Sequence, residues 1–274
     1  MKGLKKLVLA TAVAAIPFAA QADLKAMDDT AMGDVTGQAG VTIELETKVD
    51  IGEFRYTDEG YLSVSNIAIG GGEATADGAG GVAVSGILDD IKIDIDILAD
   101  GDALISVGTI SGAPVDYAMG IGSVELGGGD STLLASNILM NGQLGGIYMQ
   151  VDTATDTLHV RALFNVIDLD MNIDFLGMSI EDLSVGGTGM IVDGAVGSAE
   201  NTFVTAQLAI AKGTANGGES LGISIADISM DVAIGAINIG GQSIGSIHMD
   251  DVTISQTSLQ VYGHDGNTAT PILP

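Results

Sequence analysis

Histidine side chains are the first candidates for acid–base chemistry or metal binding in this sequence, which contains His159, His248 and His264. The first two occupy polar positions of segments in which apolar residues alternate, so we expect exposed strand residues and not ligands. His264 lies in a turn-like segment. Because the chain has no cysteine, a zinc site would need histidines and carboxylates from distant segments. The spacing therefore predicts no zinc site.

Acidic clusters are the remaining candidates for a defined site. Asp168, Asp170 and Asp174 alternate with apolar residues and would line one face of a strand, while 100–102 and 265–267 are tight acidic turns. Calcium takes about six to eight oxygen ligands, usually from a loop that wraps it. Carboxylates at alternate strand positions are about 6.8 Å apart, so one strand cannot chelate the ion alone. We expect a solvated acidic face and no metal site, with calcium as the alternative.

Nucleophilic catalysis would need a serine held in a defined turn beside a histidine and an acid. Serines and acids are plentiful, but no Gly-x-Ser-x-Gly elbow lies between a buried strand and a helix. The glycines at 120–122 and 186–187 are not followed by an amphipathic helix, which a phosphate-binding loop requires. We therefore expect no catalytic residue, no cofactor-binding residue and no enzymatic activity.

The elements that carry these residues are predicted to be strands. Apolar and polar residues alternate from Val41 to Leu45, from Ile91 to Ile97 and from Ile167 to Phe175. A period of two gives each strand one apolar and one polar face, which is typical of antiparallel sheets with one solvated face. We expect an all-β fold of long, bent, mostly antiparallel strands, arranged as a sandwich, an open roll or an irregular solenoid.

A short internal repeat accompanies this pattern. Four segments share an apolar alternation that changes parity at an Asp or Asn, and a partial copy covers 135–140: the four are 62–69, 178–185, 223–230 and 247–254. A β-bulge or corner changes parity in this way, and Asp and Asn tolerate the left-handed backbone that it needs. Asn66, Asp182, Asp227 and Asp251 are thus predicted to be structural corner residues and not calcium ligands.

The N-terminus predicts export. Three lysines precede an apolar run and a triplet of small or polar residues: Lys2, Lys5, Lys6, Leu7–Ile16 and Ala20–Ala22. This is the pattern of a signal peptide over residues 1–22. Neither this run nor any later segment has the approximately 20 apolar residues that cross a bilayer, so we expect no transmembrane segment in the mature chain. Helical spacing over 23–40 predicts a short helix or turn, and a β domain follows over 41–274.

Charge restricts the classes of partner. The chain has 36 acidic and 9 basic residues, for a formal net charge of −27. Nucleic acid is disfavoured because phosphate binding needs basic surface, and anionic membranes are disfavoured for the same reason. A hydrophobic content of 46% argues against disorder. Without cysteine, stability must come from burial and backbone pairing.

The segment after the signal peptide resembles a known family. Its Leu24, its acidic pair Asp28–Asp29 and its Val35-Thr-Gly-Gln-Ala-Gly40 run are followed by alternating strands. This order is similar to the start of a family of exported bacterial proteins that includes pilus-system proteins of the FilA type. The resemblance is clearest over residues 1–70 and implies no catalytic residue.

Taken with the predicted export, this resemblance leads to an expected function. We expect an exported structural or adhesive cell-envelope protein, with a component or accessory of a pilus-like surface filament as its specific form. Protein partners or self-association at the cell surface would follow, in the periplasm, on the outer surface or outside the cell. The alternative is a periplasmic or extracellular module that binds an apolar ligand such as a lipid, which an Ile- and Met-rich interior would accommodate.

Overall fold

The computed structural model describes residues 40–215 and 217–262, which form 18 strands and one short 3₁₀ helix. The strands are β1 Val41–Thr47, β2 Val49–Thr57, β3 Tyr61–Gly70, β4 Ala74–Ala76, β5 Val82–Val84, β6 Leu88–Ile97, β7 Ala103–Thr109, β8 Val115–Gly127, β9 Ser131–Asp152, β10 Thr157–Ile173, β11 Met178–Gly186, β12 Ile191–Val192, β13 Ala195–Val196, β14 Val204–Ala215, β15 Gly218–Ile225, β16 Ile228–Ile239, β17 Gln242–Ile254 and β18 Thr257–Val261. The predicted all-β fold of long antiparallel strands is confirmed.

Fourteen strands form one sheet that forks along the β9–β10 hairpin. The C-terminal part of β9 and the N-terminal part of β10 belong to branch one, in the order β1-β6-β7-β9-β10-β14-β15-β18. The other parts of the same two strands belong to branch two, in the order β2-β3-β8-β9-β10-β11-β16-β17. Every pairing between these strands is antiparallel. The two branches are joined along β9 and β10, because each of these long strands belongs to both branches.

The strand order is a tandem duplication, with β1–β9 as the first copy and β10–β18 as the second. Branch one shows this as two matching rows of paired residues: Val41, Ile95, Ile105 and Met149, and then Leu158, Ile210, Ile223 and Leu259. Branch two has the matching rows Val49, Ile69, Met119 and Met140, and then Val166, Val185, Val232 and Met249. In the first copy, β1 and β2 together occupy the positions that the single strand β10 occupies in the second copy. In the second copy, β17 and β18 together occupy the positions of β9.

Side-chain contacts at the fork repeat as well. The Lys48 ammonium donates to the carbonyl of Val84 at 2.9 Å, and the Asn165 amide donates to the carbonyl of Ala199 at 2.7 Å. The Val84 carbonyl belongs to β5 of the small hairpin β4–β5, and the Ala199 carbonyl follows the small hairpin β12–β13. Residues of both segments pack on strands of branch two. Buried clusters lie under these hairpins: Ala68, Val84 and Ala118 in the first copy, and Met190, Ile191, Ala199 and Ala233 in the second.

Three of the four predicted corner residues have the left-handed backbone that the parity change requires. Asn66, Asp182 and Asp251 have φ values of 54°, 54° and 51°, inside strands β3, β11 and β17. The neighbouring strand supplies a glycine beside two of them. A Cβ added at Gly122 would lie 2.9 Å from the Cβ of Asn66, and one added at Gly235 would lie 2.7 Å from that of Asp182. The bulge and its facing glycine are therefore one duplicated unit.

Two sequence-based expectations need correction. Residues 223–230 are not one bent strand, because β15 lies in branch one and β16 in branch two; Asp227 stands in the connection between them. Asp174 does not continue the acidic face of β10, because the chain leaves the strand there and forms a 3₁₀ turn over Asp174–Leu176. The predicted helix or turn over 23–40 falls on residues 23–39, which lie outside the described residues.

Candidate functional site

A hollow of about 650 Å³ lies across the middle of branch one. Six strands supply its lining, so the hollow exists only because the two copies lie side by side. Arg161 lies over the ring of Tyr148 at 4.7 Å, and Asp94 and Asp96 face the same space. This volume suits a small organic ligand, and the surface offers an aromatic ring, a guanidinium and two carboxylates.

A first acidic cluster forms where β10 meets the bulge of β11. One carboxylate oxygen each from Asp168, Asp170 and Asp182 lies within 4.8 Å of the others, and Glu73 lines the adjoining 220 Å³ hollow. The bulge itself is tied into the cluster, since the backbone N–H of Asp182 donates to Oδ1 of Asp170 at 2.8 Å. Burial raises the pKa of Asp168, and the charges of Asp170, Asp182 and Glu73 raise it further.

A second acidic cluster lies at the bulge of β17 and consists of Asp231, Asp250 and Asp251. Asp231 is 0% exposed. Its Oδ2 accepts the backbone N–H groups of Gly189 and Ile191 at 2.9 Å each, and its Oδ1 accepts that of Asp251 at 2.9 Å. Burial raises the pKa of Asp231, but these backbone donors together outweigh it and leave the pKa below its ordinary value.

Asp250, one of the two exposed members of the second cluster, behaves in the opposite way. Partial desolvation raises the pKa of Asp250, and the charges of Asp251 and Asp231 add to the effect. Both acidic clusters bring together oxygen ligands from more than one strand, which the sequence-based argument from a single strand did not foresee. Three carboxylates supply at least three of the oxygens that calcium needs. Chemically, each cluster can attract a divalent cation or remain a solvated acidic surface.

The other sequence candidates lie apart from each other. His159 lines the hollow of branch one and His248 lies on strand β17; both are exposed, as predicted. His264 lies outside the described residues. Ser243 stands between Gly241 and Gly245, but it lies at the start of strand β17, and the next element is strand β18 and not a helix. Within 40–215 and 217–262, no histidine is paired with a serine in a hydrogen bond.

The most extensive unpaired feature is a pair of sheet edges. The first edge consists of β1 and β2, and the second consists of β17 and β18; within the described residues neither has a strand on its outer side. Every residue of β2 is exposed, as is nearly every residue of β17. Large apolar side chains are included, with Phe54 58% and Ile244 63% exposed. Exposed apolar edge strands are surfaces that natural proteins pair or cover.

Comparison with known proteins gives one match. Residues 1–99 match the model of a family of unknown function, DUF6160. That segment holds the first edge and the strands up to β6, so the similarity covers six of the nine strands of the first copy and none of the second. No curated protein and no solved structure matches the chain. Across the described residues, no helix has the length and apolar character needed to cross a membrane.

Proposed function

We propose that this chain is an exported structural or adhesive protein of the cell envelope, and that it is a component or accessory of a pilus-like surface filament. The observation that supports this most is the pair of long, exposed, apolar sheet edges, because such edges serve pairing with protein and not catalysis. The signal-peptide pattern of residues 1–22 and the resemblance to pilus-system proteins of the FilA type support the same proposal. The acidic charge favours protein partners over nucleic acid.

Localisation tests this proposal directly. The full chain with a C-terminal epitope tag is expressed in a Gram-negative bacterium, and cytoplasm, periplasm, envelope and medium are separated. We expect the protein outside the cytoplasm, with Asp23 as its first residue by N-terminal sequencing. The variant Ala22→Arg, which removes the small residue at the predicted cleavage site, should retain residues 1–22. Protein that remains cytoplasmic and begins at Met1 would rule out the proposed function.

The hollow of branch one supports a second candidate, a module that binds a ligand with an apolar part. Tyr148, Leu104 and Met149 supply apolar surface there, and Arg161 supplies a cation that could bind an acidic headgroup. Purified exported protein is extracted with a denaturing organic solvent, and released lipid is measured by mass spectrometry. The variant Tyr148→Asp should lose the bound lipid, whereas Ile110→Asp, outside the hollow, should keep it. Extracts without stoichiometric lipid would remove this candidate.

A further inference from the structure

We propose that copies of this chain join head to tail, with the β17–β18 edge of one copy pairing with the β1–β2 edge of the next. The proposal deepens the proposed function, because it identifies the partner of the exposed edges as a second copy of the same chain. It follows from the duplication: the pairing of β9 with β10 inside the chain is already the contact between the C-terminal edge of one unit and the N-terminal edge of the next.

The two free edges are equivalent to the two strands of that internal contact. By the matching rows, β1 and β2 occupy the place of β10, while β17 and β18 occupy the place of β9. The contact between β9 and β10 runs along both branches, from Asp152 opposite Thr157 to Ser136 opposite Asn172. A second copy placed by the same geometry would therefore continue both branches of the sheet at once.

The register of the new contact can be derived residue by residue. Inside the chain Met149 pairs with Val160, and the rows place Leu259 where Met149 stands and Ile43 where Val160 stands. Leu259 of one copy should thus pair with Ile43 of the next. The same derivation gives Val261 with Val41, Thr257 with Leu45 and His248 with Glu53. At the bulge of β17 the strand gains one residue, so Val252 stands where Gly142 stands and pairs with Val49.

Side-chain chemistry along this register is complementary. Apolar residues pair with apolar residues at three of the five positions, and cross-strand pairs of this kind stabilise a sheet. A histidine faces a carboxylate at the fifth position. Five of these six apolar side chains are more than a third exposed in the single chain, namely Val41, Ile43, Val49, Leu259 and Val261, and Val252 is half-buried. Pairing would cover them and satisfy the outward backbone groups of both edges.

The symmetry of this contact determines the product. The two surfaces that meet are different, so the contact is heterologous, and each added copy presents a fresh edge of the same kind. Such a contact gives a ring if the rotation between copies closes and an open chain if it does not. Contacts between two identical edges would instead give a dimer and stop. A cross-linking experiment can separate these cases because the chain has no native cysteine.

The test uses full-length mature chains that each carry one cysteine, Ile43→Cys or Leu259→Cys, with oxidised glutathione as the oxidant. Directly opposed residues of antiparallel strands have Cα atoms about 4.5–5.5 Å apart, which a disulfide can bridge. We expect a disulfide-linked dimer when the two variants are mixed and none when either is oxidised alone. The matched control replaces the first partner with Ile110→Cys, which is 52% exposed but lies outside both edges, and its mixture with Leu259→Cys should give no dimer.

A dimer from Ile43→Cys alone, or from Leu259→Cys alone, would show that identical edges meet and would overturn the proposal. No dimer in any mixture would overturn it too, since the edges would then be unpaired or covered by residues 23–39, residues 263–274 or another protein. The second measurement is sedimentation velocity, in which the unmodified chain should sediment as an assembly of several copies. Ile43→Lys should abolish this assembly, whereas Ile110→Lys should retain it. Assembly is measured on purified protein, whereas export is measured in cells. The head-to-tail contact can therefore fail while the proposed export stands, and the reverse is also possible.

Discussion

Loss of the buried carboxylate Asp231 should be the most destabilising single change among the acidic residues. The side chain is 0% exposed and accepts three backbone N–H groups, from Gly189, Ile191 and Asp251. These donors hold the β12–β13 hairpin and the bulge of β17 against β16. A buried donor left without an acceptor costs about 1–3 kcal/mol. The N–H of Ile191 is buried and the other two are partly buried, so Asp231→Ala should cost about 4 kcal/mol.

The substitution Asp231→Asn separates charge from shape. The amide oxygen can still accept from Gly189 and Ile191, but the amide NH₂ would then face the N–H of Asp251, donor against donor. We expect a loss of about 2 kcal/mol, roughly half the effect of alanine. The matched control is Asp250→Asn. Desolvation raises the pKa of Asp250, and the charges of Asp251 and Asp231 raise it further. Removing its charge relieves both effects, so the stability should stay equal or rise slightly.

The assay is urea unfolding followed by circular dichroism, at pH 7 and at lower pH. Every protein in the comparison also carries Ile43→Lys, which should prevent head-to-tail assembly from contributing to the measured stability. The folded pKa of Asp231 lies below its unfolded value of about 3.9. Its contribution is therefore fully present above that value and is lost as the pH falls through the folded pKa. The difference in stability between the parent and the Asp231→Asn variant is thus expected to shrink below about pH 4. Equal stability of Asp231→Asn and the parent at pH 7 would refute the reasoning.

Three further predictions concern the first acidic cluster and its bulge, each measured by urea unfolding. Asp182→Asn should change the free energy of unfolding only slightly, since Asn66 holds the equivalent place. Asp182→Val should cost about 1–3 kcal/mol with or without calcium. A sharp loss of stability for the asparagine variant in the presence of calcium alone would make the bulge a metal site. Gly235→Ala should cost about 1–3 kcal/mol, because its Cβ would lie 2.7 Å from that of Asp182, while Gly52→Ala, which meets nothing within 4 Å, should be nearly neutral. Asp168→Asn should raise stability at pH 7, since the pKa of Asp168 is raised by burial and by nearby acids. Solvent screening keeps the gain below about 1 kcal/mol. A loss of stability in this variant would contradict the prediction.

The strands and their bulges could be predicted because they are local. Period-two alternation identifies β1, β6 and β10, and the parity change at Asn66 and Asp182 identifies two bulges with left-handed φ. The parity argument is less useful at Asp227, where the two halves of the pattern belong to strands of different branches. A change of parity is the same in sequence whether the strand bends or ends.

The acidic clusters and the duplication depend on long-range pairing, which explains why the sequence did not reveal them. Asp231 occupies an ordinary alternating position in β16, and only Ala233 and Gly235 on the same face indicate that another segment approaches closely. Corresponding residues such as Met149 and Leu259 share apolar character and not identity. The free edges follow from strand order, which no local pattern encodes.

Salt dependence gives a last prediction about the head-to-tail contact. The chain carries a net charge of −27, and both edges are acidic: Asp50 and Glu53 lie on β2, and Asp250 and Asp251 lie on β17. The derived register brings Asp50 close to Asp251. Exposed like charges repel over about 30 Å at 0.01 M salt but only about 8 Å at 0.15 M. Assembly, measured by sedimentation velocity, should therefore strengthen between these two sodium chloride concentrations, and Asp50→Asn should assemble at lower salt than the parent. Assembly that weakens as salt rises would mean that attraction between opposite charges, and not apolar strand pairing, holds the copies together.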